Sequence, residues 1–384
     1  MEVKGRQRRD QGSDGEIQCQ AGRNLAAPLK PMMEFNHCYF HNVAELEEVP
    51  GMPGWRLQRF PEKVRHRLSS KGRSKAVQSN GCEIRFVTDS DRVRLTLSAW
   101  DEGGSVLIFK GDYFHSKADV KGGRMQTIEL EDPERFLGVK PEILSSGSFS
   151  PNVWRVYFDR FNAVFHALEA FGHDVRPPRP GEMPDLNMLV YGSSITQGAG
   201  AMHHYTGYTQ RAARRLSLDV VNLALSGSCY CEPELADHIA EKKDWDLIFL
   251  EIGVNMRGRF PIDVIRARSA YLLDRILEKH PAKPVFLTTI YPNRATFAAD
   301  EQEPFTVEEK KTNDWLRQYA RDKNHAHLHL LKGSRILTEF TGLASDLIHP
   351  SDDGHILMGE RLAGFLAPAV SRLREERRQA REGR

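Results

Sequence analysis

The segment Leu186-Asn187-Met188-Leu189-Val190-Tyr191, followed by Gly192-Ser193-Ser194-Ile195-Thr196-Gln197-Gly198, decides how the second half of this chain is read. A short apolar run ends in a cluster of glycine and serine, and a helix-like stretch resumes from about Gly207. That pattern predicts a strand leading into a sharp turn at the edge of a sheet. Small residues let the backbone turn tightly there and lift a hydroxyl, that of Ser194, out beside backbone N–H groups. A Gly-Ser turn taken alone is more often structural. The residues downstream of it change the balance.

Working outward, strand candidates at 187–191, 220–224, 247–251, 285–290 and 327–331 alternate with helical stretches at 207–217, 233–243, 261–279 and 306–323. A last helix is expected from about 353 to 366. Strands alternating with helices imply a parallel sheet covered on both faces, hence an α/β fold. The first half has another period. Ile84 and Phe86 alternate with Arg85; Val93, Leu95 and Leu97 alternate with Arg94 and Thr96. Further short runs at 106–109, 127–130 and 153–158 are separated by turns such as Glu102-Gly103-Gly104 and Lys121-Gly122-Gly123, which indicates an antiparallel β-sandwich. The stretch 161–171 fits a strand or a short helix equally. The expected division is a disordered tail over 1–34, a β-sandwich over 35–176, a stiff Pro-rich linker over 177–184, a catalytic α/β domain over 185–370 and a charged, Arg/Glu-rich tail over 371–384, expected as a solvated, fraying helix.

Composition narrows the partners. Of 384 residues, 40% are hydrophobic and 28% charged, as in a soluble protein with sizeable cores. Basic and acidic residues nearly cancel, 54 against 52, so the charge gives no case for a nucleic-acid partner. No apolar run approaches the ~18–20 residues of a membrane span. The first thirty residues lack the apolar core of a signal peptide, and Met32 or Met33 is a candidate start. Cys19, Cys38, Cys82, Cys229 and Cys231 form no disulfide framework, which makes a cytoplasmic location the default. Cys229-Tyr230-Cys231 lacks metal-ligand spacing, and neither a metal nor a cofactor is expected.

Candidate chemistry lies just beyond the expected strand ends: Ser194 after the first, Ser226-Gly227-Ser228 after the second, Gly253-Val254-Asn255 after the third, and Asp346-Leu347-Ile348-His349-Pro350 before the last helix. Open α/β sheets gather their sites at that edge. Ser194 suits a nucleophile, which needs a base to take its proton. His349 suits that base, and Asp346 can orient its ring. The backbone N–H groups of Ser194 and Gly227 and the side-chain amide of Asn255 can serve an oxyanion.

These four blocks, in this order, resemble the SGNH/GDSL hydrolase superfamily over roughly the second half of the chain. The resemblance implies a flavodoxin-like three-layer α/β/α sandwich and a serine esterase mechanism without metal. Two positions depart from the pattern: Ser193 stands where aspartate usually precedes the nucleophile, and Met256 follows Asn255 where aspartate is common. The β-rich half placed before such a domain resembles carbohydrate esterases with a jelly-roll domain, which implies deacetylation of sugars.

His203, Tyr291 and Arg294 are candidate substrate contacts, since each lies in a loop on the same edge; ordinary surface or ion-pair roles fit them as well. Trp100 and Trp154 fit a sugar-stacking platform or, more commonly, a sandwich core. Asp352, Asp353 and His355 fit the start of the last helix. The expected activity is hydrolysis of a short acyl, acetyl, ester on a small-molecule or oligosaccharide substrate. A lipase or thioesterase for longer chains, and a catalytically dead carbohydrate-binding or scaffold protein, stay open as alternatives, as does homo-oligomer formation.

Overall fold

Alternation governs the first half. In the Arg92–Ala99 strand Val93, Leu95 and Leu97 are buried while Arg92 is exposed, because successive side chains point to opposite faces. The computed structural model describes residues 33–383, and two antiparallel sheets close on such faces. One has the order Met33–Phe35, Cys38–His41, Glu83–Thr88, Val153–Phe158, Gly103–Lys110, Tyr113–Lys121, with Val175–Arg176 beside Glu83–Thr88. The other has the order Glu45–Glu48, Trp55–Gln58, Ala163–Glu169, Arg92–Ala99, Gln126–Glu131. Phe40, Ile84, Phe86, Leu97, Trp154 and Phe165 fill the space between.

Several expectations settle here. The stretch 161–171 forms the Ala163–Glu169 strand, paired on both sides. Trp154 belongs to the sandwich core, whereas Trp100 is partly exposed beneath the Arg56 guanidinium, 4.8 Å from its ring centre. Of the tail expected over 1–34, residues 1–32 lie outside the described residues, and Met33 and Glu34 already belong to a strand. Two short helices, Glu62–Arg65 and Ser70–Ala76, interrupt the strand pattern. They are too short and too polar to leave a helical period; Ser69 Oγ caps the second by accepting from Gly72 N at 3.2 Å.

In the second half five parallel strands lie in the order Leu218–Asn222, Leu186–Gly192, Leu247–Glu251, Val285–Thr288, Leu328–Leu331. The central strands read as continuous apolar runs because both faces are covered. Helices Tyr208–Arg215 and Asp352–Glu382 pack Tyr208, Leu362 and Leu366 on Val190 and Phe249. Helices Pro233–Glu241, Ile262–Lys279 and Pro304–Lys323 pack Leu235, Leu273 and Leu316 on Leu189 and Leu250. The result is a three-layer α/β/α sandwich preceded by a β-sandwich. The last helix does not stop near 366: it joins the helix expected over the charged tail and runs without a break to Glu382. Arg374 donates to Leu216 O at 2.6 Å and Arg377 to Asp246, while Arg378 pairs with Glu375 and Glu382 one turn away.

The two parts lie within one compact unit, and their seam runs along the edge strand Leu218–Asn222. An uncovered edge is a row of unpaired backbone groups. Here side chains of the first half serve it. His41 Nε2 bonds Val220 O at 2.7 Å, Asn42 Nδ2 donates to Asn222 O at 3.1 Å, and Arg59 Nη1 donates to Asn222 O and Ala224 O at 3.0 and 2.9 Å. Arg85, fully buried, grips Asp219 with two hydrogen bonds of 2.6 and 2.8 Å and also donates to Glu83, which Arg155 engages in turn. Burial alone would raise the Glu83 and Asp219 pKa values. The neighbouring guanidinium groups outweigh it, holding Glu83 down at about 2 and Asp219 well below the usual carboxylate range.

Removing one partner of such a pair strands the other charge. Asp219→Asn is expected to lower stability by about 3–5 kcal/mol at neutral pH. Because the folded-state pKa is depressed, the wild type owes this stability to pH above the unfolded value and loses it as pH falls. The gap between wild type and variant, followed by urea unfolding, should therefore narrow below about pH 4; a gap independent of pH would contradict the assignment.

Candidate active site

The strand Leu186–Gly192 ends at the carboxyl edge of the sheet, and the chain turns at once into a one-turn helix, Ser194–Gln197. Ser193 caps it: its Oγ accepts from Ile195 N at 3.2 Å, and Gly198, at φ 107°, ends it. This turn leaves Ser194 8% exposed. Its Oγ lies 2.8 Å from His349 Nε2, and His349 Nδ1 lies 2.6 Å from Asp346 Oδ2. A carboxylate only accepts, so Nδ1 carries the proton and Nε2 faces the serine as an acceptor. An imidazole so placed can accept a proton from the serine hydroxyl, and a carboxylate so placed can steady the charge that results.

The Asp346–His349 turn is tightly drawn. Asp346 Oδ1 accepts from the N–H groups of Ile348 and His349, each at 3.0 Å, and Leu347 between them adopts φ 55°. Burial would raise the Asp346 pKa, but the His349 ring and those N–H groups outweigh it and hold the carboxyl below its ordinary value. The loop after the nucleophile packs directly on this turn. At Gly200, φ 95°, a Cβ would lie 2.1 Å from Pro350 O, so only glycine permits the approach. Asp352 Oδ1 accepts from Met202 N at 2.7 Å, and His355, fully buried, bridges Ala199 O and Tyr208 N.

Gly227 and Asn255 stand on neighbouring loops. Gly227 adopts φ 62°, and its carbonyl accepts from Tyr230 Oη at 3.0 Å. Asn255 Oδ1 accepts from Cys229 N at 3.1 Å, which fixes the amide and leaves Nδ2 to donate elsewhere. Among the described residues the N–H groups of Ser194 and Gly227 and the Asn255 amide nitrogen donate to no protein acceptor. A cleft of about 390 Å³ opens beside Asn255, lined also by Val254, Arg294, Ala295, Phe305 and Ile348.

The expected substrate contacts divide. Arg294 lines this cleft. Tyr291 does not: it is 2% exposed and its hydroxyl bonds Tyr208 Oη at 3.1 Å, so it supports the core. His203 turns toward Asp159 of the first half, 3.5 Å away, which also binds the His204 ring. Cys229 and Cys231 are buried packing residues. Among the described residues no group of three or more His, Cys, Asp or Glu side chains could hold a metal ion.

One residue escaped the sequence reading. Glu251, the buried last residue of its strand, accepts from Ser193 N at 2.8 Å, Ser193 Oγ at 2.6 Å and Thr196 Oγ1 at 3.0 Å. Thr196 in turn bonds Tyr208 Oη at 2.8 Å, so the chain Tyr291–Tyr208–Thr196–Glu251 underpins the nucleophile turn. Burial pushes the Glu251 pKa up, and the bonds from Ser193 and Thr196 offset only part of that. The signal was present as a charged residue closing an apolar strand two positions before Gly253. It also accounts for Ser193: a hydroxyl there donates to Glu251, whereas an aspartate would set two carboxylates face to face.

Residues 190–357 match the model of the GDSL-like lipase/acylhydrolase family. No match was found among curated proteins. Among solved structures, the fold is shared with the salicylyl-acyltransferase SsfX3 of a tetracycline biosynthetic pathway, at 17% identity and a TM-score of 0.70, over 87% of this chain and 96% of that one. It is shared with a GDSL-like lipase of Bacteroides ovatus at 18% identity and a TM-score of 0.64, over 86% and 95%. A family two carbohydrate esterase of Clostridium thermocellum, solved with cellohexaose, aligns at 12% identity and a TM-score of 0.55, over 76% and 93%.

Ser193→Asp is expected to destabilise the protein by about 1–3 kcal/mol in urea unfolding. Adding Glu251→Gln should recover part of that loss, since the amide can donate to the introduced carboxylate. A neutral Ser193→Asp would show that Glu251 does not hold the turn.

Proposed function

Residues 190–357 form a GDSL-like lipase/acylhydrolase domain, and from that premise we propose that this protein hydrolyses short-chain acyl esters, acetyl esters of carbohydrates, through an acyl-enzyme on Ser194. The observation that carries the reading is the unbroken line Ser194 Oγ, His349 Nε2, His349 Nδ1, Asp346 Oδ2, at 2.8 and 2.6 Å. In the first half-reaction His349 takes the Ser194 proton as Oγ attacks the carbonyl carbon, then delivers it to the departing alcohol. In the second it activates water against the acyl-enzyme, releasing the acid and restoring Ser194. The N–H groups of Ser194 and Gly227 and the Asn255 amide are the donors for the tetrahedral oxyanion. Their lack of protein acceptors supports that role, because preorganised donors must be free when charge develops.

The cleft beside Asn255 offers room for the acyl group next to the oxyanion donors. The Clostridium thermocellum neighbour, a carbohydrate esterase that shares both the sandwich and the α/β sheet arrangement, favours a sugar as the alcohol.

The test is acetate release from 4-nitrophenyl acetate and a panel of acetylated sugars. Ser194→Ala should abolish turnover while unfolding like wild type. Asn255→Ala should lower kcat by about 10²–10³ with a much smaller loss of stability. Comparable losses in rate and stability would remove Asn255 from the oxyanion site. Activity retained by a folded Ser194→Ala variant would overturn the mechanism.

A further inference from the structure

The short helix Ser70–Ala76 of the first half is clamped at both ends onto the loop that carries Gly227. At its start Ser69 N donates to Glu232 Oε1 at 2.7 Å. At its end the buried Arg59 donates to Lys75 O at 3.1 Å and Gln78 O at 2.8 Å while its Nη1 holds Asn222 O and Ala224 O. Ala224 and Glu232 flank Gly227 in sequence, so both clamps grip one loop. Between them Lys71 reaches over the glycine: a Cβ built on Gly227 would lie 3.1 Å from Lys71 Nζ and 3.2 Å from its Cε.

This ammonium makes no ion pair among the described residues, not even with Glu232, whose carboxylate lies against Gly72. Nor is it alone. Arg259 lies over the Tyr230 ring, 5.1 Å from its centre, and Tyr230 is the residue that bonds Gly227 O. Arg294 lines the cleft beside Asn255. Neither arginine forms an ion pair among the described residues. Carboxylates also stand nearby: Glu232 beside the helix, Asp346 bonded to His349, and Glu303 on the cleft wall, which accepts from Thr306 N at 3.0 Å. What singles out Lys71 is position: an exposed ammonium without an ion pair, directly over the Gly227 loop, can attract an anion bound beside it.

We propose that Lys71 is a specificity-determining residue that selects esters carrying a carboxylate within a lysine's reach of the scissile carbonyl. This rests on the Ser194 esterase reading. Lysine suits the task as a compact charge on a flexible stem, which tolerates some variation in where the carboxylate lies. The carboxylate can belong to the acyl part, as in a dicarboxylic half-ester, or to the alcohol.

The experiment measures kcat/KM of the full chain and its variants on 4-nitrophenyl acetate, on 4-nitrophenyl hemisuccinate, charged on the acyl side, and on 4-acetoxybenzoate, charged on the alcohol side. Lys71 is exposed, so Lys71→Met and Lys71→Glu should fold normally. The ratio of charged to neutral ester is expected to fall about two- to fivefold in Lys71→Met, the scale of one exposed ion pair, and further in Lys71→Glu. The arm that falls identifies the side bearing the charge. In wild type the ratio should also shrink on adding about 0.5 M NaCl, since exposed charges are screened. Ratios unchanged in both arms, or an equal loss on all three esters, overturn the selectivity role and leave the Ser194 reading standing. A wild type that hydrolyses none of the three fails at Ser194 and takes this inference with it.

Discussion

A single buried carboxylate, Glu251, organises the edge where the candidate site forms. It ends the strand at the middle of the sheet and receives three hydrogen bonds from the turn that follows the neighbouring strand. A buried carboxylate demands such donors, and the turn supplies them from Ser193 and Thr196, the residues on either side of Ser194-Ile195. The serine is therefore held by its neighbours while its own hydroxyl faces His349. The same strand runs on into Gly253-Val254-Asn255, so one element both braces the nucleophile turn and delivers Asn255.

The β-sandwich is joined to the same sheet along its outer strand. Its buried cations, Arg59 and Arg85, meet the outer strand of the parallel sheet, where a sixth strand would otherwise be invited to pair. Arg59 does more than close the edge. Its donors tie the helix Ser70–Ala76 to the chain just before Gly227, and Asp159 of the sandwich holds His203 and His204 beyond the nucleophile. Two loops beside the candidate site are thus fastened to the first half of the chain.

The parallel sheet and the convergence of Ser194, His349 and Asp346 were legible in the sequence because both depend on local signals. Apolar runs of strand length alternate with helical ones, and each polar block falls at a strand end. Side-chain direction beyond those ends was not legible. Tyr291 and Arg294 follow the same strand three residues apart, yet one turns into the core to meet Tyr208 and the other lines the cleft. Glu251 was hidden for a different reason: its role depends on what stands at Ser193 across the sheet. The Ser70–Ala76 helix was hidden because seven largely polar residues leave no period to read. The last helix and the charged helical tail were expected as separate pieces; they form one helix, and Arg374 and Arg377 on its charged segment find acceptors on the body of the protein.

If His349 activates Ser194 for covalent chemistry, labelling with a fluorophosphonate reveals it without any assumption about the substrate. Intact mass and peptide mapping should show one adduct, on Ser194, in wild type. The labelling rate should fall by about 10³ or more in His349→Ala, because an unassisted serine hydroxyl is a weak nucleophile. Absence of an adduct, an adduct on another serine, or equal rates in the two proteins would contradict the account.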